Sequence, residues 1–183
     1  PDDALAASRA KWEAALQALD AGKKVGWTPV TPTEAISSGG STMTVEPDGA
    51  VFFSGKLPVW DTYTVTVPAP LARIAAIRLQ VLGDERLPGN GVARAGSYFV
   101  LSEFEVSAQR GGAAAQPVRL SEVEVTREDE GFPGLAAIDG RPEAGWAHVY
   151  ASGPETAVFH LAQPLPGGPD TKLVIRLRQQ TMP

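Results

Sequence analysis

The sequence predicts an all-β protein, an antiparallel β-sandwich preceded by one α-helix. Three observations carry this. Apolar residues alternate with polar ones over several short runs, the period of a half-buried strand. Nineteen Gly and 16 Pro in 183 residues punctuate those runs with turns. Strands do not alternate with helices and nothing repeats internally, so a parallel-sheet architecture is not expected.

The helix is expected over residues 3–20, within a linker of residues 1–22. Leu5, Trp12, Leu16 and Leu19 share one stripe of a 3.6-residue period, among good helix formers. Asp2 or Asp3 can cap its start and Gly22 its end. The sandwich then occupies 23–183. Trp27–Val30 reads as a first extended segment. Ser41–Val45 and Ala50–Ser54 flank Glu46-Pro47-Asp48-Gly49, a hairpin turn. Thr62–Val67 places Tyr63, Val65 and Val67 on one face and three Thr on the other. Ile77, Leu79 and Val81 alternate with Arg78 and Gln80.

Tyr98–Ala108 changes its apolar face near Ser102-Glu103, and Val118–Thr126 near Ser121-Glu122. Such a change predicts a bulge or a bend between two sheets. Thr156–Leu161 and Leu173–Leu177 supply the last strands, about eight in all by this pattern. Gly111–Pro117 reads as a loose surface loop. Two longer excursions, Gly83–Gly96 and Gly131 to about Gly153, are rich in glycine, and long loops on a sandwich tend to carry recognition.

Composition removes several functions. Sixteen basic and 21 acidic side chains leave a net charge of −5, a poor match to nucleic acid, whose phosphates call for a basic face. No cysteine is present, which excludes disulfides, thiolate catalysis, Cys-bound zinc and covalent c-type haem within this segment. No apolar run approaches the roughly 18 residues of a membrane helix. The segment opens Pro1-Asp2-Asp3 without a leader pattern, so a piece cut from a larger protein is expected.

Catalytic chemistry finds little support. His160 alternates on a strand and reads as solvated, while His148 lies in the second long loop, within reach of a ligand. No Ser sits in a nucleophile elbow and no loop ends in the Lys-Ser/Thr of a phosphate cradle. Glu103 with Glu105, and Glu122 with Glu124, are expected on solvated faces rather than opposed across a bond. Glu128-Asp129-Glu130 reads as a solvated charge run. No cofactor is expected. A structural calcium stays open, because loop carbonyls and one or two carboxylates suffice; Asp61, Asp84 and Asp139 are its candidate ligands.

The aromatic residues say more. Trp60, Trp146 and Tyr150 fall at strand ends or in loops, where a flat ring can stack on a sugar face or anchor a protein.

Two segments carry a resemblance. Ala137-Ile138-Asp139-Gly140 followed by Gly145-Trp146 is similar to the Ala-x-Asp-Gly…Trp signature of galactose-binding-like, discoidin-type sandwiches. A wider set resembles the non-haem region of planctomycete-type cytochrome c multidomain proteins. It comprises Ser54-Gly55, Asp61–Val65, Ile77–Leu82, Leu87-Pro88-Gly89-Asn90-Gly91, Arg94 and Phe99–Val106. The likeness spans about residues 12–180. It implies a jelly-roll sandwich from an exported protein, periplasmic or extracellular, that handles polysaccharide beside haem and enzymatic domains. The Asp-Gly…Trp motif falls late in this chain, whereas discoidin domains carry it early.

Together these readings lead us to expect a non-catalytic carbohydrate-binding module. Trp146, Trp60 and Tyr150 would be its stacking platforms, and Asp139, Asn90 and Arg94 its polar contacts. The alternative is a docking domain that orients its neighbours and binds no sugar.

Overall fold

A computed structural model describes residues 26–94, 98–149 and 154–180. The expected helix within residues 1–22 lies outside them, as does Tyr150. Twelve strands are present among the described residues. In chain order they are β1 (Glu34–Ser37), β2 (Ser41–Val45), β3 (Val51–Gly55), β4 (Asp61–Pro68), β5 (Arg73–Val81), β6 (Tyr98–Leu101), β7 (Glu103–Arg110), β8 (Gln116–Val118), β9 (Leu120–Val125), β10 (Trp146–Val149), β11 (Glu155–Pro166) and β12 (Thr171–Gln179). No described helix is long and apolar enough to cross a membrane.

All pairings are antiparallel. One sheet runs β1-β4-β12-β7-β8 and a second runs β5-β11-β9, with smaller ladders β6-β10 and β2-β3. The alternation in β4 sets the core. Tyr63, Val65 and Val67 lie opposite Leu177, Ile175 and Leu173, which lie opposite Phe104, Val106 and Ala108. The second sheet contributes Ala157, Phe159, Leu161 and Ile74 to the same core. Phe104 and Phe159 stack across it with centroids 3.7 Å apart and rings 4° from parallel. Burying each large apolar chain this way contributes about 1.5–3 kcal/mol, so the pattern of twos in the sequence becomes a two-layer sandwich.

Both predicted changes of face mark places where the chain leaves one ladder for another. At Ser102 it passes from β6 into β7, and the buried corner is closed by hydrogen bonds. The Ser102 N–H donates to the Arg178 carbonyl at 2.8 Å and its Oγ accepts from the Gln180 N–H at 2.9 Å. At Arg119 it passes from β8 into β9, two residues before the expected point.

Three expectations need correction. Trp27–Val30 forms no strand; the first strand is β1, with Thr33 bonded to Thr66, and the Trp27 ring instead carries the Arg78 guanidinium at 4.9 Å. Gly111–Pro117 is not wholly loop, because Gln116 and Pro117 belong to β8. The second long excursion contains β10. Trp146 and Ala147 are both fully buried there, so the strand shows no alternation.

Candidate functional site

The two glycine-rich excursions arrive at one rim of the sandwich. From the first, Arg94 reaches the β2–β3 hairpin. Its Nη1 donates to Ser41 Oγ at 3.0 Å, and its Nη2 to the carbonyls of Gly55 and Lys56 at 2.9 and 2.8 Å. Ser41 Oγ in turn lies 3.0 Å from Asp61 at the start of β4. From the second, Trp146 pairs with Leu101, and Ser102 is bonded to Gln180, next to the Gln179 that pairs with Asp61.

Asp61 is the hub of this rim and only 4 % exposed. Its carboxylate accepts from the hydroxyls of Ser37, Ser38 and Ser41 and from the N–H groups of Gly39 and Thr62. Burial pushes its pKa up, but the donations from Ser37, Gly39, Ser41 and Thr62 outweigh it, so the group sits below the ordinary aspartate value. Nearby, burial and the Asp61 charge push the Tyr63 phenol up. The run Ser37-Ser38-Gly39-Gly40-Ser41 before an aspartate at a strand start was the available signal for this network. Its short donors and flexible backbone can wrap one carboxylate.

The loop between this hub and the hairpin, Lys56–Trp60, is the most apolar exposed stretch among the described residues. Leu57, Val59 and Trp60 are 52 %, 73 % and 64 % exposed. Of the expected platforms, Trp60 therefore presents a ring to solvent. Trp146 does not, and that expectation is corrected. It is 0 % exposed, meets Phe99 edge-on at 4.9 Å, and donates its Nε1–H to the Arg127 carbonyl at 2.7 Å. Gly145 explains why. A Cβ there would sit 2.7 Å from the Leu101 carbonyl oxygen, so only glycine lets β10 close on the corner and seal the indole.

The expected polar contacts fare differently. Arg94 spends Nη1 and Nη2 on the hairpin and so ties the first excursion to it. Asp139 is exposed, and its Oδ1 accepts from the Arg141 N–H at 2.8 Å, the self-bonding habit of an Asp-Gly turn. Asn90 is exposed in a short 3-10 turn with φ of 54°. The three candidate calcium ligands do not converge. Asp61 is enclosed as above, Asp139 holds its turn, and Asp84 pairs with Arg86 at 2.7 Å, which lowers its pKa to about 2. Among the described residues no group of three or more His, Asp or Glu side chains gathers as for a metal.

The remaining acidic residues correct one expectation. Glu122 and Glu124 are solvated, and His160 meets Glu124 at 2.8 Å. Glu103, by contrast, is 5 % exposed, beneath the Asp139–Arg141 turn. Burial and the Asp139 charge raise its pKa, against the N–H groups of Arg141 and Gly140 that it accepts. Glu103 Oε1 and Arg178 Nε, from residues paired in register, are both buried without a hydrogen-bond partner among the described residues. His148 lies under the rim, its Nδ1 2.8 Å from Glu155 Oε1, while Glu155 also accepts from the Thr126 hydroxyl at 2.6 Å.

Comparison with protein-family models, with curated proteins and with solved structures returns no match for this chain.

Proposed function

We propose that this is a non-catalytic polysaccharide-binding domain. In this reading it belongs to an exported multidomain protein of the cytochrome type that its sequence resembles, and it needs no cofactor. The observation that carries the reading is the solvent-facing indole of Trp60, on the loop that Arg94 of the first long excursion bonds at Lys56. An exposed indole supplies a broad face for the C–H side of a sugar ring, at low cost in side-chain entropy. The carboxylates support binding rather than hydrolysis. Asp61 is wrapped in donors and Glu103 lies under a turn, so neither is offered to a glycosidic bond as one of an opposed pair.

The test is retention on a panel of polysaccharides, by affinity gel for the soluble ones and by pull-down for the insoluble. Trp60→Ala abolishes retention while the melting temperature stays unchanged. The second reading, a docking domain, draws on Leu57 and Val59, two exposed aliphatic chains that also suit a protein surface. Absence of retention across the panel favours it.

A further inference from the structure

The polar groups around Trp60 restrict what kind of polysaccharide could be met there. Asp61 is buried and accepts five hydrogen bonds from its own chain. Arg94 donates to Ser41, Gly55 and Lys56. Sugar recognition in solution relies on such groups being turned outward, because each hydroxyl taken from water must find a partner. Here they are turned inward, and the outward chemistry of the loop is aliphatic and aromatic, with Lys56 its one charge.

That loop is also fixed. The Lys56 carbonyl accepts from Arg94 Nη2 at 2.8 Å and lies 3.0 Å from Ser41 Oγ, and the hub of Asp61 follows Trp60 directly. Between them Pro58 lies against Gly39, so closely that a Cβ at residue 39 would stand 2.5 Å from Pro58 Cγ. The exposed side chains of Leu57, Val59 and Trp60 are thus carried on an anchored backbone. Two shallow depressions elsewhere on the surface are lined by Val118–Ser121 with Ala162 and Gln163, and by Ala72, Arg73, Pro164 and Pro166; neither includes this loop.

We propose that the ligand is the face of an ordered, insoluble, uncharged polysaccharide, met jointly by Leu57, Val59 and Trp60 through release of water. This rests on the reading of the domain as a polysaccharide binder and narrows its ligand. An ordered surface presents sugar rings whose hydroxyls already pair within the solid and whose chains have already lost their conformational freedom. A mainly apolar platform, whose polar groups are the Lys56 ammonium and the Trp60 indole N–H, suits it better than it suits a soluble chain that must be ordered on binding.

The experiment uses the intact chain. Depletion isotherms are measured on microcrystalline cellulose and on crystalline chitin, and calorimetry is run with cellohexaose and chitohexaose. The expected result is saturable binding to at least one solid that persists at 1 M salt, with no heat from the hexasaccharides. Trp60→Ala weakens it at least tenfold, and the double variant Leu57→Ser/Val59→Ser about three- to tenfold. All three side chains are exposed, so unchanged melting temperatures separate lost binding from lost fold. Binding of a hexasaccharide that needs Trp60 but tolerates the double serine variant overturns this inference and leaves the polysaccharide reading standing. Retention by neither solid and by no soluble sugar overturns both.

Discussion

Trp60 and Trp146 lie on opposite sides of one boundary. Trp146 follows a glycine that lets two backbones close to within the space of a methyl group, and its ring is sealed with its N–H satisfied by Arg127. Trp60 follows a proline-stiffened loop and precedes a buried aspartate, and its ring is left in water. The difference is one of neighbours rather than residue type. A tryptophan next to a missing side chain can be packed against. A tryptophan beside a saturated polar hub is held at the surface, because the hub occupies the interior position. The sealed indole and the exposed indole are therefore separable by mutation.

The sharpest break in the comparison is truncation of each indole. Trp146→Ala removes a fully buried ring and strands the Arg127 carbonyl, so it destabilises by about 3–5 kcal/mol. Trp60→Ala changes stability by no more than about 0.5 kcal/mol. Urea denaturation of the two variants measures both. Equal losses would merge the two ends into one packed unit. Gly145→Ala tests the same corner from the backbone. Its Cβ would stand 2.7 Å from Leu101 O and 2.9 Å from the Ser102 Cα, an overpacking that costs about 1–3 kcal/mol.

How far this was legible in the sequence depends on periodicity. Strands β4 and β5 announced themselves by the apolar-polar alternation of their residues, and the β2–β3 hairpin by its Glu46-Pro47-Asp48-Gly49 turn. The bend at Ser102 was visible as a slipped alternation. Strand β10 was not, because a short strand buried on both faces leaves no alternation to read. Trp60 was identifiable as an end-of-strand aromatic, yet Trp146 satisfied the same criterion; only the room a Cβ would need at Gly145 separates them, and that is a tertiary quantity. Glu103 was misplaced for a related reason. Its register does put it on the outward face of β7, but the Asp139–Arg141 turn folds over that face from another part of the chain.

Asp61 gives the next largest effect. Asp61→Ala leaves several buried donors without an acceptor and costs about 3 kcal/mol. The charge carries a pH signature as well. Because the folded carboxyl lies below its ordinary value of 3.8, its contribution is fully present above that value and is lost as the pH falls through the folded pKa. Asp61→Asn, of nearly equal shape, is therefore less stable than the parent at pH 7, and the gap narrows below about pH 4. Melting temperatures across pH 2–7 check this. A gap that stays constant would mean that shape, not charge, makes the hub.

Glu103 reverses the sign and gives the smallest effect. Its folded pKa lies above the ordinary 4.5, so the folded protein binds the proton more tightly than the unfolded chain does. Stability from this group is present below 4.5 and is lost as the pH rises through the folded value, where a carboxylate is left buried beside Asp139. Glu103→Gln carries no such charge, and its amide can still accept from the Gly140 and Arg141 N–H groups. The variant is expected to match the parent near pH 4 and to exceed it in melting temperature at pH 7, because it leaves no buried charge beside Asp139. The polysaccharide retention proposed for Trp60 is expected to stay unchanged in this variant. If Glu103→Gln instead lowers the melting temperature at pH 7, the carboxylate's hold on the Asp139–Arg141 turn outweighs its burial, and the turn rather than the charge governs that end of the fold.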